Sequence, residues 1–244
     1  MYPNLDFYFT LSVFLASLIL STKLFIEWCR HRPRCKFLLA WAIGVLLLYW
    51  FQIPLILGNA GIRFTLTDFN LFFSLAFPMT FAGLALIYAG LRFVSRELDH
   101  SAFYLSAWLV LCLALFAFFS LIKDGVQTDR VSLFVTNLGF FIPIRFLILH
   151  AAWKWFRQEQ AASQRFRFGL SLIMVFAFIG ILGNIIAIPR ILAYPPQFWY
   201  IALTNFRLLF LSQLGSLLAL LVGIGLIHNS CIRSLQSRFR PSKK

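Results

Sequence analysis

Seven long apolar segments alternate with short polar segments along this chain. The apolar segments cover about residues 7–27, 37–57, 71–92, 102–122, 134–156, 168–188 and 201–227. An α-helix rises about 1.5 Å per residue, so about 20 residues cross a hydrocarbon core of about 30 Å. The pattern predicts an all-α integral membrane protein, a seven-transmembrane-helix bundle that forms one domain over residues 1–228. Residues 229–244 are predicted to form a basic cytoplasmic tail.

The chain has 244 residues, of which 61% are hydrophobic. Because the seven segments use most of this length, the loops between them are too short for a soluble domain of the usual 50 residues or more. We therefore expect no kinase, cyclase or nuclease domain within these 244 residues.

Basic residues collect in alternate loops and in the tail. One side of the predicted bundle holds Arg30, Arg32, Arg34, Lys36, Arg92, Arg96, Lys154, Arg157, Arg165, Arg167, Arg233, Arg238, Arg240, Lys243 and Lys244. The other side holds Arg63, Lys123, Arg130 and Arg190. By the positive-inside rule the N-terminus is predicted outside and the C-terminus cytoplasmic, which agrees with an odd number of spans. The expected location is the plasma membrane or a bacterial inner membrane.

The formal net charge of +14 is accounted for by this orientation. Basic segments beside a membrane are attracted to the anionic head groups of lipids. Membrane lipids are therefore an expected partner, whereas nucleic acid is not. A protein partner in the membrane or at the cytoplasmic face is also expected, because the chain encodes no output domain of its own.

The polar chemistry inside the predicted spans is sparse. None of the eight acidic residues lies in the middle of a span, although proton- or sodium-coupled carriers generally hold their ion on such a carboxylate. The four histidines are spread over four segments, and no nucleophile–base motif or set of metal ligands is recognisable. We therefore expect a non-enzymatic protein without a metal ion or cofactor.

Two arginines within predicted spans are the main candidates for function. Arg145 lies near the middle of the fifth span, and Arg207 lies about two turns into the seventh. An arginine at the bilayer centre costs about 2.5–3.5 kcal/mol, so it usually faces the bundle and has a partner. With no carboxylate in the spans, that partner is expected to be a carbonyl, an amide, water or an anionic ligand.

Other polar residues predict an anion-binding cavity that opens to the outer side. Helical spacing places Asn137 and Arg145 on one face of the fifth span, where Pro143 can kink the helix. The predicted ligand-binding residues are Arg145, Arg207, Asn137, Asn184, Gln213 and Gln52. The alternative is that these amides tie helices together, while Arg207 extends to the outer head groups.

Small residues recur at a spacing of three residues in the sixth span and of four in the seventh. The rows are Ala177, Gly180 and Gly183 in the sixth span, and Gly215, Ala219 and Gly223 in the seventh. Small residues let the backbones of membrane helices approach closely. The two helices are therefore predicted to pack together, or against a partner.

The predicted topology resembles that of seven-helix receptors and of the membrane input modules that precede bacterial sensor kinases and cyclases. The resemblance lies in topology alone and transfers no site residue. The outward bias of the polar residues and the lack of an output domain favour a sensor or receptor-like subunit that binds an anionic or amphipathic ligand and signals through a separate protein. The alternatives are an accessory or scaffold subunit of a larger membrane complex, and a facilitator for lipids or small solutes.

Overall fold

The computed structural model describes residues 5–31, 35–49, 53, 56–57, 66–94, 137–158, 163–193 and 207–239. All the regular structure in these ranges is helical. The six α-helices are α1 (Leu5–Arg30), α2 (Lys36–Leu48), α3 (Leu66–Val94), α4 (Ile142–Gln158), α5 (Gln164–Ala193) and α6 (Arg207–Phe239). A π-helical turn, Asn137–Phe141, leads directly into α4.

Each of these helices overlaps one predicted span, but the bounds differ. The second span was predicted to continue to residue 57, whereas α2 ends at Leu48 and Tyr49 lies in a turn. Pro54 has no N–H and is the sequence feature that opposes a continuous helix in this region. Helices α1, α3, α5 and α6 are longer than predicted. The predicted fourth span, 102–122, lies outside the described residues.

Three stretches within the described helices are long and apolar enough to cross a membrane. They are Phe7–Arg30, Gln164–Ile186 and Leu214–Cys231, and two shorter apolar stretches are Lys36–Leu48 and Pro78–Phe93. Large apolar side chains are also exposed on the outside of the molecule, among them Ile19, Phe168 and Phe178. An apolar outer surface of this kind is compatible with lipid as the surrounding solvent.

The six helices form a closed ring of contacts. Each helix contacts the next one along the chain, and α6 returns to contact α1. All six supply side chains to one apolar core: Val13, Leu38, Leu84, Ile148, Ile173 and Leu220. Since every helix has two neighbours, a side chain on the inner half of any helix can meet residues from distant parts of the sequence.

Helices α2 and α3 approach closely at two places. A Cβ at Gly44 would lie 3.0 Å from the carbonyl oxygen of Gly83, and a Cβ at Gly83 would lie 2.8 Å from that of Gly44. Further along, the indole ring of Trp41 lies against Gly90, and its Nε1 donates a hydrogen bond to the Ile87 carbonyl (3.2 Å). The two helices therefore run antiparallel with their backbones nearly in contact.

Helices α5 and α6 also pack together, as predicted, but only Gly223 of the predicted glycines forms the close contact. Gly169 and Gly223 face each other, with each Cβ position 2.8–2.9 Å from the carbonyl oxygen of the opposite glycine. Gly215, which was expected in the same row, has open space around its Cβ position. A step of four residues turns about 40° around a helix, so Gly215 lies about 80° away from Gly223. Gly180 contacts α4 instead.

Buried hydrogen bonds tie further helices of the ring to one another. The Ser21 hydroxyl of α1 donates to the Ala42 carbonyl of α2 (2.7 Å). Tyr49, which is fully buried, donates its hydroxyl proton to the Leu217 carbonyl of α6 (2.7 Å). Hydrogen bonds between membrane helices contribute about 0.6 kcal/mol each on average, so these contacts mainly fix the register of the helices.

The contacts between the helices define their relative directions. Lys23 Nζ lies 3.5 Å from Asn229 Oδ1, so the C-terminal ends of α1 and α6 are together. The hydroxyl oxygens of Ser163 and Ser230 are 3.5 Å apart, which places the start of α5 beside the end of α6. Likewise the Trp155 ring near the end of α4 contacts the Phe166 ring in the first turn of α5 (5.0 Å between ring centres). The Tyr49–Leu217 hydrogen bond places the end of α2 beside the first half of α6, so α2 is antiparallel to α6, and α3 is antiparallel to α2. Helices α1, α3, α4 and α6 therefore run in one direction, and α2 and α5 run in the other.

The Trp41–Gly90 contact predicts the effect of a single methyl group. Gly90→Ala is expected to lower the free energy of unfolding by about 1–3 kcal/mol, because the new Cβ would overlap a fully buried indole ring. Gly225→Ala is the matched control, since its Cβ position in α6 has no atom within 4 Å. The control is expected to stabilise the protein by up to about 1 kcal/mol. Unfolding by SDS in mixed micelles measures both, and a loss of the same size in both variants would contradict the contact.

Candidate functional site

Arg145 lies in the first turn of α4, immediately after the π-helical turn and Pro143. A proline has no N–H to donate and interrupts the regular hydrogen bonding of a helix, and π-turns are often found at functional sites. Only 7% of Arg145 is exposed. The first turn of α4 therefore carries a charged side chain that is buried inside the bundle.

The guanidinium group of Arg145 crosses from α4 to α5. Its Cζ lies 5.0 Å from the centre of the Phe176 ring, a cation–π contact. It also occupies the space that a Cβ would fill at Gly180. Because Phe176 and Gly180 are four residues apart, they form one face of α5, and the arginine lies along this face.

Two polar atoms of this arginine lack the partner that buried donors normally have. Arg145 Nε and Nη1 are buried, and neither has a hydrogen-bond partner among the described residues. Leaving a buried donor unsatisfied costs about 1–3 kcal/mol, and more when the donor is charged. The cation–π contact offsets part of this cost but supplies no acceptor atom.

Asn184 adds a third donor to the same face of α5. It lies one helical turn beyond Gly180, about 6 Å along the helix. Its Nδ2 is buried and, like the two arginine nitrogens, has no partner in the described part of the chain. Of the predicted site residues, Arg145 contacts α5 at Gly180, and Asn184 lies one turn further along the same helix.

For the other predicted site residues, the structure describes at most the position along a helix. Asn137 is the first residue of the π-helical turn, Arg207 is the first residue of α6, and Gln213 lies two turns further along that helix. Gln52 lies outside the described residues. The side chains of Asn137, Arg207 and Gln213 are also outside the described part, so their convergence on Arg145 stays a prediction.

Two residues of this site were missed by the sequence reasoning. Phe176 was not singled out, and Gly180 was assigned to packing against the seventh span. The signal that was present is the four-residue spacing of Phe176, Gly180 and Asn184, which places an aromatic ring, a gap and an amide on one face. This spacing does not show which helix packs against that face of α5.

This arrangement is suited to hold an acceptor group. Nε, Nη1 and Nδ2 are all donors, and the guanidinium is always positively charged. A carboxylate or phosphate oxygen would form charge-assisted hydrogen bonds, which are about twice as strong as neutral ones. No group of three or more His, Cys, Asp or Glu residues that could bind a metal ion occurs within the described ranges.

Comparisons of the chain with protein-family models, with curated proteins and with solved structures find no match.

Proposed function

We propose that the protein is a non-enzymatic, receptor-like membrane sensor that binds an anionic or amphipathic ligand from the outer side through Arg145. The observation that carries the proposal is the buried guanidinium with two donors unpartnered among the described residues. A ligand with an anionic oxygen would satisfy these donors and remove the cost of their burial. Five further residues are proposed to complete the site: Asn184, Arg207, Asn137, Gln213 and Gln52.

The directions of the helices support seven crossings rather than six. Helices α3 and α4 follow each other in the described chain and run in the same direction. Two consecutive membrane helices can point the same way only if the chain crosses back between them. The proposed span over 102–122 supplies that crossing.

The charge distribution supports access from the outer side. Lys154 and Arg157 lie near the C-terminal end of α4, whereas Arg145 lies in its first turn. Basic residues favour the cytoplasmic side of the membrane. The proposed ligand site therefore lies towards the outer half of the bundle, in a plasma membrane or a bacterial inner membrane.

A ligand at this site would act on the contact between α4 and α5. The guanidinium already bridges the two helices, so satisfying its donors changes the free energy of that contact. The two helices are joined at their basic ends, which face the cytoplasm in the proposed orientation. We propose that these ends pass the signal to a separate protein partner.

The proposal is tested with Arg145→Met and with laurate, an amphipathic carboxylate, as the probe. The wild-type protein in uncharged detergent is expected to gain about 2.7 kcal/mol of stability at a laurate concentration 100 times its Kd. Arg145→Met is expected to lose this gain. Without laurate it is expected to be about 1–4 kcal/mol more stable than the wild type, because an uncompensated buried charge has been removed. Unfolding by urea in the same uncharged detergent, with and without laurate, measures both quantities.

Arg157→Met is the matched control, because Arg157 lies on the same helix but is exposed. This variant is expected to keep the response to laurate. A wild-type protein that laurate does not stabilise, or an equal response in Arg145→Met, would contradict the proposal. A stable complex with another protein after extraction would instead favour the accessory-subunit function.

A further inference from the structure

A groove of about 560 Å³ lies where the end of α4, the first turns of α5 and the inner part of α6 meet. Its polar lining consists of Gln164, Arg165, Arg167 and Ser171. We call this the basic groove. It is separate from the Arg145 site, because Phe156 at its edge lies three helical turns, about 16 Å, further along α4.

One arginine of the basic groove is held in place by its neighbours. The Arg167 guanidinium lies over the Phe156 ring, with Cζ 4.5 Å from the ring centre. Arg167 Nε is buried and has no hydrogen-bond partner in the described part of the chain. Stacking on an aromatic ring fixes the plane of a guanidinium while leaving its N–H groups free to donate.

The second contribution to positive potential comes from the start of α5. The Phe166 N–H donates a hydrogen bond to the Ser163 hydroxyl oxygen (3.3 Å), which caps the helix. Gln164 and Arg165 occupy the first turn, where free backbone N–H groups and the helix dipole favour an anion. None of the described residues that line the groove is acidic.

The remaining walls of the basic groove are apolar. Phe156, Phe168 and Leu226 line it, and 58% of Phe168 is exposed. Beyond the groove, the outside of α5 continues with the exposed side chains of Val175 and Phe178. A basic end followed by an apolar flank fits a molecule with an anionic head and hydrocarbon chains.

We propose that the basic groove binds one anionic phospholipid through its phosphate group. Arg165 and Arg167 donate hydrogen bonds to the phosphate oxygens, and Phe168 and Leu226 contact the acyl chains. The lipid comes from the leaflet at the C-terminal end of α4, which is the cytoplasmic leaflet in the proposed orientation. This proposal rests on the proposed membrane location of the protein, but not on any ligand at Arg145.

A second groove, of about 520 Å³ on α1, shows what distinguishes the first. It contains Lys23, Glu27 and Arg30, so its charges are mixed. Glu27 pairs with Arg30 (3.1 Å) and lies 3.4 Å from His31. The acceptor is therefore already present in that groove, whereas the described lining of the basic groove contains none.

The test measures retention of phosphatidylglycerol by the purified full-length protein. Native mass spectrometry in an uncharged detergent removes the general attraction of a charged bilayer surface. Arg165→Gln/Arg167→Gln is compared with Arg30→Gln/Arg157→Gln, which loses the same charge at the same end of the molecule. The first variant is expected to bind phosphatidylglycerol about tenfold more weakly or worse, and the control to change by less than about threefold.

Three results would overturn this assignment. Equal losses in the two double variants would mean diffuse attraction, and unchanged binding in the first would mean that the groove is not the site. Inorganic phosphate that competes at the affinity of phosphatidylglycerol would mean a site for free phosphate. Arg165→Gln alone, at an exposed position, replaces the double variant if the latter does not fold. Because Arg145 is unchanged throughout, the laurate response is measured independently of these outcomes.

Discussion

Trp41→Ala is expected to lower the free energy of unfolding by about 3–5 kcal/mol, the range for truncating a buried aromatic side chain. The ring is fully buried between α2 and α3, makes an edge contact with the Phe37 ring (5.4 Å) and donates to the Ile87 carbonyl. The substitution therefore removes a fully buried aromatic contact between the two helices and also leaves a gap beside Gly90. Reversible SDS unfolding of the purified protein measures the change.

Trp153→Ala is the matched control for this loss. Trp153 is 46% exposed, and its ring stacks on Phe156 and carries the Arg157 guanidinium at 4.7 Å. Trp153→Ala is expected to lower the free energy of unfolding by no more than about 1 kcal/mol, because exposed cation–π contacts contribute about 0.5–1 kcal/mol. Equal losses in the two variants would contradict the burial of Trp41.

Gly223→Leu is expected to cost about 3 kcal/mol, at the upper end of the range for an overpacked interior. Its Cβ position lies 2.8 Å from the Gly169 carbonyl oxygen, and a backbone atom cannot turn away as a flexible side chain can. Helices α5 and α6 would have to separate, which weakens contacts along their whole length. The same unfolding measurement applies.

Gly215→Leu is the control, since it changes the same residue type in the same helix where no atom lies within 4 Å. Little loss is expected, and a small gain is consistent with the better helix propensity of leucine. A loss at Gly215 as large as that at Gly223 would show that α6 tolerates no leucine at either position. The close approach at Gly169 would then not explain the result.

The positions of helices could be predicted from the sequence because each helix is a local property of an apolar segment. Six of the seven predicted spans overlap described helices. The second span is predicted to continue to residue 57, whereas α2 ends at Leu48, and the described residues 53, 56 and 57 beyond it are again helical. Composition identifies the solvent that a segment can enter, but Tyr49 leaves the helix and binds the Leu217 carbonyl of a helix far away in the sequence.

The contacts between helices could be predicted only in part. Gly169 and Gly180 are about three turns apart, so they lie on nearly the same side of α5. The structure nevertheless places Gly169 against α6 and Gly180 against Arg145 of α4. Helices in a bundle cross at an angle, so one face meets different neighbours at different heights. Spacing along a single helix contains no information about that angle.

Arg145 could be singled out from the sequence because a charge within an apolar segment is costly wherever the helix packs. Its contacts with Phe176 and Gly180 could not, since they depend on which helix lies opposite. The seven crossings and the binding of a ligand stay predictions. The described side chains of Arg145 and Asn184 give the ligand proposal a defined position at which to be tested.

The position of the guanidinium against α5 has a consequence for biosynthesis. In the proposed topology, a newly made α4 that entered the bilayer alone would expose Arg145 to acyl chains, at a cost of up to about 2.5–3.5 kcal/mol, the value at the bilayer centre. The Phe176 ring and the gap at Gly180 exist only once α5 has been synthesised. The two segments are therefore expected to leave the translocon as a pair, with the second helix completing the insertion of the first.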